Sequence, residues 1–371
     1  MLDLYYGFTR LPFTKDIPAD LLFDAVGQSE LCVRLDFLLK GRGLGLVTGE
    51  TGSGKSTTIR RFVASLEPAR HTVIYLANPT LGLSGIYRDL LAALGYEPLF
   101  GKPKAVSRIR SAFQELLQTK VALEKAQEAV QLEMEMARQV QESILPKDLP
   151  KPASLRLSAL YIPTSQVGGD FYDAVVLDKE NVFLMISDVC GHGVPSAMIS
   201  MMARMSFSRN APFFYHPAKL NEVVNHELSL SLKTEHYLTT VTALLNMRTG
   251  LLTYSRVCHS YPIIYRAETG DMELLTTNHG YFLGMFPEGR YTQGKGQLQR
   301  GDKLLLYTDG LVECFDRNRE QYGRPRLLQS IHQNAALQGN EFLQALIKDK
   351  ERFTAGGETT DDITLLAVER V

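Results

Sequence analysis

From Ser107 to Leu145 the chain runs without a glycine or a proline, and this stretch sets how the rest can be organised. Residues three and four apart form a heptad seam: Ile109, Ala112, Leu116, Thr119, Leu123, Ala126, Val130, Glu133, Ala137, Val140 and Ile144. Only Thr119 and Glu133 interrupt its apolar character. A repeat of about 3.5 residues sustained this long predicts one coiled-coil helix. At about 1.5 Å per residue it extends roughly 55 Å. Pro146 and Pro150 stop it. The helix divides the chain into residues 1–106, 107–146 and 147–371, and residues 107–146 are expected to pair two copies as a homodimer.

A chain of 371 residues allows two or three domains at roughly 100–200 residues each. With 44% hydrophobic and 22% charged residues it reads as globular protein with ample core. A net charge of −1 gives no global argument for nucleic acid or an anionic membrane as partner. Cys32, Cys190, Cys258 and Cys314 are scattered and form no CxxC pair, which fits a reducing cytosol and argues against a disulfide framework or structural zinc. There is no basic start followed by a long apolar run, and no uncharged apolar stretch of about 18 residues. A cytoplasmic protein without a membrane span is expected.

Residues 1–106 read as a partial P-loop α/β unit. Leu44–Thr48 and Thr72–Ala77 are strand-like runs on either side of a helical stretch, Lys55–Leu66. Gly49, Glu50, Thr51, Gly52, Ser53, Gly54, Lys55 and Ser56, followed by Thr57, satisfy the pattern GxxxxGK[ST] where a strand run meets a helix. Backbone N–H groups of such a loop cradle phosphate at the helix N-terminus. Lys55 is placed to reach the β- and γ-phosphates and Ser56 to hold Mg2+. An ATPase also needs a second apolar run ending in an acid to orient water. TVIYLANP ends in Ala-Asn instead, so weak ATP binding without hydrolysis is expected. Over about residues 3–116 the string YYGFTRLPF, the P-loop and ANP resemble the start of ExeA-like and transposition-associated AAA-type ATPases.

Residues 147–371 alternate strands, helices and glycine-rich turns. Strands are predicted at Leu155–Tyr161, Val182–Ile186, Thr240–Asn246, Leu251–Arg256, Pro262–Arg266, Lys303–Tyr307 and Thr364–Val368. Helices are predicted from Pro195 to about Asn210, from Pro217 to about Leu232 and from Asn340 to about Thr354. Short turns such as Arg248-Thr249-Gly250 indicate antiparallel meanders, and the blocks of strands and helices indicate an α+β fold.

Four acidic positions share one setting. Asp170 follows Gly168-Gly169, Asp188 ends VFLMIS, Asp309 ends KLLLYT before Gly310, and Asp361 with Asp362 opens a strand. Carboxylates where strands meet turns can converge at a sheet edge, and hard oxygen donors suit Mg2+ or Mn2+. An aspartate beside glycine is also an ordinary turn former. On spacing alone the chemistry stays open.

The ordered strings QVGGDFYD, SDVCGHGVPSAM, GDKLLLYTDGLVE and TDDIT resemble the SpoIIE/RsbU branch of the metal-dependent, PPM-type Ser/Thr phosphatases. ARQVQESILPKDLP, just upstream, is similar to the segment that enters this domain, so the likeness covers about residues 130–371. It implies an α-β-β-α sandwich with two Mn2+ or Mg2+ ions at one edge. By motif, Asp170, Asp188, the carbonyl of Val189, Asp309 and Asp361 would be ligands, with Asp188 bridging. Asp362 would be a neighbour and Asp173 a support of the turn. The implied reaction is in-line attack of activated water on phosphoserine or phosphothreonine without a phosphoenzyme. Cys190 has no CxxxxxR loop after it and reads as a packed residue. His192 and His259 both invite a general-acid reading, with His192, set in Gly-His-Gly, reading rather as a turn residue. Val257-Cys258 departs from the small pair that relatives carry before this histidine.

The branch implies a phosphorylated protein substrate, a STAS-type anti-anti-sigma factor in a partner-switching pathway. The rival expectation is an ATPase-derived, nucleotide-binding regulator whose phosphatase-like domain is a phosphoprotein-binding scaffold.

Overall fold

The computed structural model describes residues 26–67, 71, 73–74, 82–97, 99, 101–146, 148–232, 236–277, 280–355 and 361–371. The chain forms two compact units, 1–123 and 124–371. In the first lie helices α1 (Val26–Lys40), α2 (Lys55–Ser65) and α3 (Leu83–Ala93). Helix α4 (Lys102–Ile144) begins there and ends in the second unit. Its early turns are fastened within the first unit. Leu91, Ala105 and Ala112 are buried, the Tyr96 hydroxyl donates to Glu115 at 2.9 Å, and Arg108 lies 4.2 Å from the Tyr96 ring centroid.

Two expectations for the first unit need amendment. The run Leu44–Thr48 is not a strand: a strand exists only in a ladder, and Leu44 and Leu46 are exposed with no strand partner among the described residues. Glycines at 41, 43 and 45 add backbone entropy that no ladder offsets. Of Thr72–Ala77 only Val73 and Ile74 are described, neither in a strand, and the YYGFTRLPF segment lies outside the described residues.

The second unit carries ten strands: β1 (Leu155–Ile162), β2 (Phe171–Val176), β3 (Asn181–Val189), β4 (Leu238–Asn246), β5 (Leu251–Val257), β6 (Ile263–Tyr265), β7 (Met272–Leu274), β8 (Gly294–Gln297), β9 (Lys303–Tyr307) and β10 (Ile363–Arg370). They form two antiparallel sheets, ordered β1-β10-β9-β6-β7 and β2-β3-β4-β5-β8. Helices α5 (Val194–Asn210) and α6 (Pro217–Ser231) cover the second sheet, and α7 (Gly323–Gln333) and α8 (Gly339–Thr354) cover the first. The α-β-β-α sandwich and the α+β class are as expected. Strands β2, β7, β8 and helix α7 add to the elements that the sequence pattern predicts.

Side-chain alternation assigns each strand two faces. Val182, Leu184 and Ile186 of β3 meet Leu304 and Leu306 of β9 and Leu366 and Val368 of β10 in the core between the sheets. The intervening Phe183 and Met185 pack under α5 and α6, while Leu305, Tyr307, Leu365 and Ala367 pack under α7 and α8. Each fully buried aliphatic side chain contributes about 1.5–3 kcal/mol, so the sandwich is held by three apolar layers.

Candidate metal centre

The same alternation carries polar residues onto the inter-sheet face where the apolar stack ends. Along β3 the series 182, 184, 186 continues to Asp188. Along β9, 304 and 306 continue to Thr308. Along β10, 368 and 366 continue to Thr364 and then Asp362. On β2, Tyr172 and Ala174 face the inter-sheet core, and the same phase reaches back to Asp170. All of these positions fall at one end of the sandwich.

Asp170 is buried, and its Oδ2 accepts hydroxyl hydrogen bonds from Thr308 at 2.8 Å and Thr364 at 2.7 Å. The Thr364 N–H donates to the Thr308 hydroxyl at 2.8 Å. These bonds tie the turn before β2 to the opposite sheet. Asp362 is occupied by the protein itself: Oδ1 accepts from the Thr164 N–H at 2.7 Å and its hydroxyl at 2.8 Å, and Oδ2 accepts from the Gly169 N–H at 2.8 Å. That is the role of a neighbour that shapes the turn.

Two glycines let backbone close on the site. A Cβ at Gly169 would stand 2.8 Å from the Val189 carbonyl oxygen, and one at Gly310 would stand 2.2 Å from the Asp362 carbonyl oxygen. Gln141, buried near the end of α4, holds the same turn from outside. Its Nε2 donates to the Gly168 carbonyl at 2.6 Å and its Oε1 accepts from the Gly168 N–H at 3.1 Å.

The electrostatics show the acids gathered. Burial pushes the Asp188 carboxyl up to about 7, with the charges of Asp309 and Asp361 adding to the shift. Burial and the Asp188 charge raise Asp170 well above the usual carboxylate range, and burial raises Asp309 and Asp361. None of these four carboxylates has an ion-pair partner among the described residues. As the side chains stand, no three His, Cys, Asp or Glu residues among the described ones close tightly enough to hold an ion. The donor set still fits a hard divalent cation: carboxylates and a carbonyl, all oxygen, in mutual repulsion that a cation would relieve.

Other sequence readings change. Asp173 lies within β2 and pairs with Arg204 of α5 at 2.8 Å, so it fastens strand to helix rather than supporting the turn. His259 is buried, its Nδ1 2.7 Å from the Thr239 hydroxyl, and burial with the Arg256 charge lowers its pKa to about 3. It is neutral at physiological pH and unsuited to act as a general acid there. Exposed His192 lies near enough to Asp361 for its charge to be felt there. Cys190 accepts the Tyr237 N–H at 3.1 Å, a packed role. Beside Asp309 opens a cavity of about 390 Å³, lined also by Thr239, His259, Tyr261, Glu313 and Arg324.

At the P-loop, Gly54 caps α2 with a φ of 80°. Lys55 Nζ folds back to donate to the carbonyls of Gly49 and Glu50, each at 2.7 Å.

A two-sheet sandwich with helices outside and acids along one edge is the architecture of PP2C-type phosphoprotein phosphatases, and the chain is of that class. It belongs to the SpoIIE family: the model described as Stage II sporulation protein E (SpoIIE) matches residues 178–371, over half of the chain. The "Phosphoserine phosphatase RsbU" of Bacillus subtilis (strain 168) is 27% identical over 244 residues, 66% of this chain and 72% of RsbU. A solved structure, the SiaA-PP2C domain of Pseudomonas aeruginosa, shares the fold with a TM-score of 0.59 at 21% identity, covering 66% of this chain and 98% of that one. An AAA domain model matches residues 38–144. The "General secretion pathway protein A" of Aeromonas hydrophila is 33% identical over 95 residues, 25% of this chain and 16% of that protein.

Proposed function

We propose that the chain hydrolyses phosphoserine or phosphothreonine in a protein substrate, at the edge where the acids Asp170, Asp188, Asp309 and Asp361 lie close enough to raise one another's proton affinity. That gathering is the observation that carries the reading. Asp170, Asp188, the Val189 carbonyl, Asp309 and Asp361 would hold two Mn2+ or Mg2+ ions. Bound there, such ions would supply Lewis acidity and lower the pKa of water at neutral pH. The chain's own contribution is placement. Thr308 and Thr364 hold Oδ2 of Asp170 and so fix the orientation of its carboxylate. Asp362 and Gln141 hold the backbone on either side of Gly169. Neutral His259 stays bonded to Thr239 and carries no proton to the leaving serine.

On the resemblance to the SpoIIE/RsbU branch, the substrate we favour is a phosphorylated STAS-type anti-anti-sigma factor in a cytoplasmic partner-switching pathway. The exposed seam residues Leu116, Leu123, Val130 and Val140 support pairing of two copies through residues 107–146. Nucleotide at the P-loop would bind weakly, because Lys55 must first leave the loop carbonyls it occupies.

The test is phosphate release from a phosphoserine peptide with Mn2+, with Mg2+ and with chelator, for wild type and Asp309→Ala. Release should need metal, and the substitution should cost more than the ~10–100-fold expected from losing a mere supporting partner. Release that survives chelation, or an active Asp309→Ala protein, would overturn the assignment.

A further inference from the structure

The cavity beside Asp309 has one feature that the hydrolytic centre leaves unused. Two guanidinium groups lie against the same ring. Arg256 stands 4.0 Å and Arg324 4.8 Å from the Tyr261 ring centroid. Arg256 is 5% exposed and donates through Nη1 to the His259 carbonyl, while its Nε and Nη2 have no partner. Buried cations are ordinarily paired with an acid. Among the described residues neither arginine forms an ion pair. Arg324 is exposed and lines the same cavity as Asp309 and Glu313.

A buried guanidinium without a counter-charge favours an anion arriving nearby. The planar fork of arginine matches a phosphate monoester in two parallel hydrogen bonds, and stacking on an aromatic ring fixes the plane of the fork. The cavity is open and polar, and one of its walls carries Asp309 of the acidic edge.

Resting on the phosphatase reading above, we infer that Arg324, stacked on Tyr261 with Arg256 beside the same ring, is the residue that recognises the substrate's phosphoryl group in the cavity next to Asp309. Its ligand is the phosphate monoester dianion of phosphoserine or phosphothreonine. Arg256 is a positioning residue: it holds Tyr261 and the His259 backbone and adds positive potential from behind. The acidic edge would then bind metal, while this wall selects phosphorylated over unmodified side chains.

The experiment uses the full chain with Mn2+ and a peptide carrying a phosphonate that cannot be hydrolysed in place of phosphoserine. Calorimetry compares wild type, Arg324→Gln and Arg324→Lys, with the unphosphorylated peptide as control. Arg324 is exposed, so both variants should fold. Arg324→Gln should weaken phosphonate binding about tenfold or more, the loss of a charge-assisted pair, and Arg324→Lys less. Mn2+ affinity should stay unchanged in both. Equal binding by wild type and Arg324→Gln, or equal binding of the two peptides by wild type, overturns the inference. A chain that binds the phosphonate through Arg324 yet releases no phosphate from a real phosphopeptide would retire the phosphatase reading and leave this one standing. One that releases phosphate with the same KM after Arg324→Gln would do the reverse.

Discussion

Asp188 stands where the inter-sheet face of β3 runs out of apolar partners, and its proton affinity follows from that position. Its carboxyl is raised to about 7 by burial and by the charges of Asp309 and Asp361. A carboxyl raised in the folded state holds its proton more tightly there than in the unfolded chain. Its favourable contribution is therefore complete below the unfolded value of about 3.9 and is lost as pH rises toward 7. The metal-free protein should melt at higher temperature at pH 5.5 than at pH 8, and saturating Mn2+ should reverse that order. Calorimetric melting with and without chelator checks it, and a metal-free melting temperature that rises with pH would contradict the site described. The acids themselves were legible in the sequence, because each sits between a strand and a turn within a recognisable string. Thr308, Thr364 and Gln141 were not. Their partners lie 138, 194 and 27 residues away, and nothing local distinguishes a threonine that braces an aspartate from one that packs in a sheet. The arginines around Tyr261 were illegible for the same reason.

Elements with strong alternation or clean helical stops were read within a residue or two, as for Leu155–Ile162, Lys303–Tyr307 and Pro217–Ser231. The missed ones lack an intrinsic signal. β8 is Gly-Lys-Gly-Gln, a strand only because β5 offers a ladder. β7 has three residues. β2 holds a buried Asp and follows directly on the Gly-Gly-Asp turn. α7 opens with Gly323 and Pro325, which read as a loop. The run at 44–48 shows the opposite failure, an apolar pattern that is no strand because no neighbour among the described residues completes it. Helix α4 has a role its heptads did not announce: its last turns grip the turn that carries Asp170. Gln141→Ala should weaken Mn2+ binding about tenfold, as loss of a supporting partner does, and should also lower the melting temperature of the metal-free protein, because the buried N–H and carbonyl of Gly168 lose their partner. Unaltered Mn2+ affinity would show that the amide serves packing alone.

At the scale of the whole molecule, the exposed apolar residues of the heptad seam on α4 are the surface most suited to a second copy. Leu123 and Val130, 60% and 59% exposed, can be replaced by Asp without disturbing either core. If residues 107–146 pair, the double substitution should move the protein to monomer mass in sedimentation; an unchanged mass would place any dimer elsewhere. The sandwich itself has a further property. Its acidic edge exists because three strands carry apolar residues in one phase and then, still in phase, Asp188, Thr308, Thr364 and Asp362. Replacing a core leucine by another apolar residue is a graded injury. Deleting one residue from β3 or β10 turns every later side chain to the opposite face, and sends a carboxylate under a helix while an apolar group enters the edge. What descent must preserve here is thus a reading frame more than a set of letters: drift in the core is tolerated, and a one-residue indel in these strands is lethal to the site.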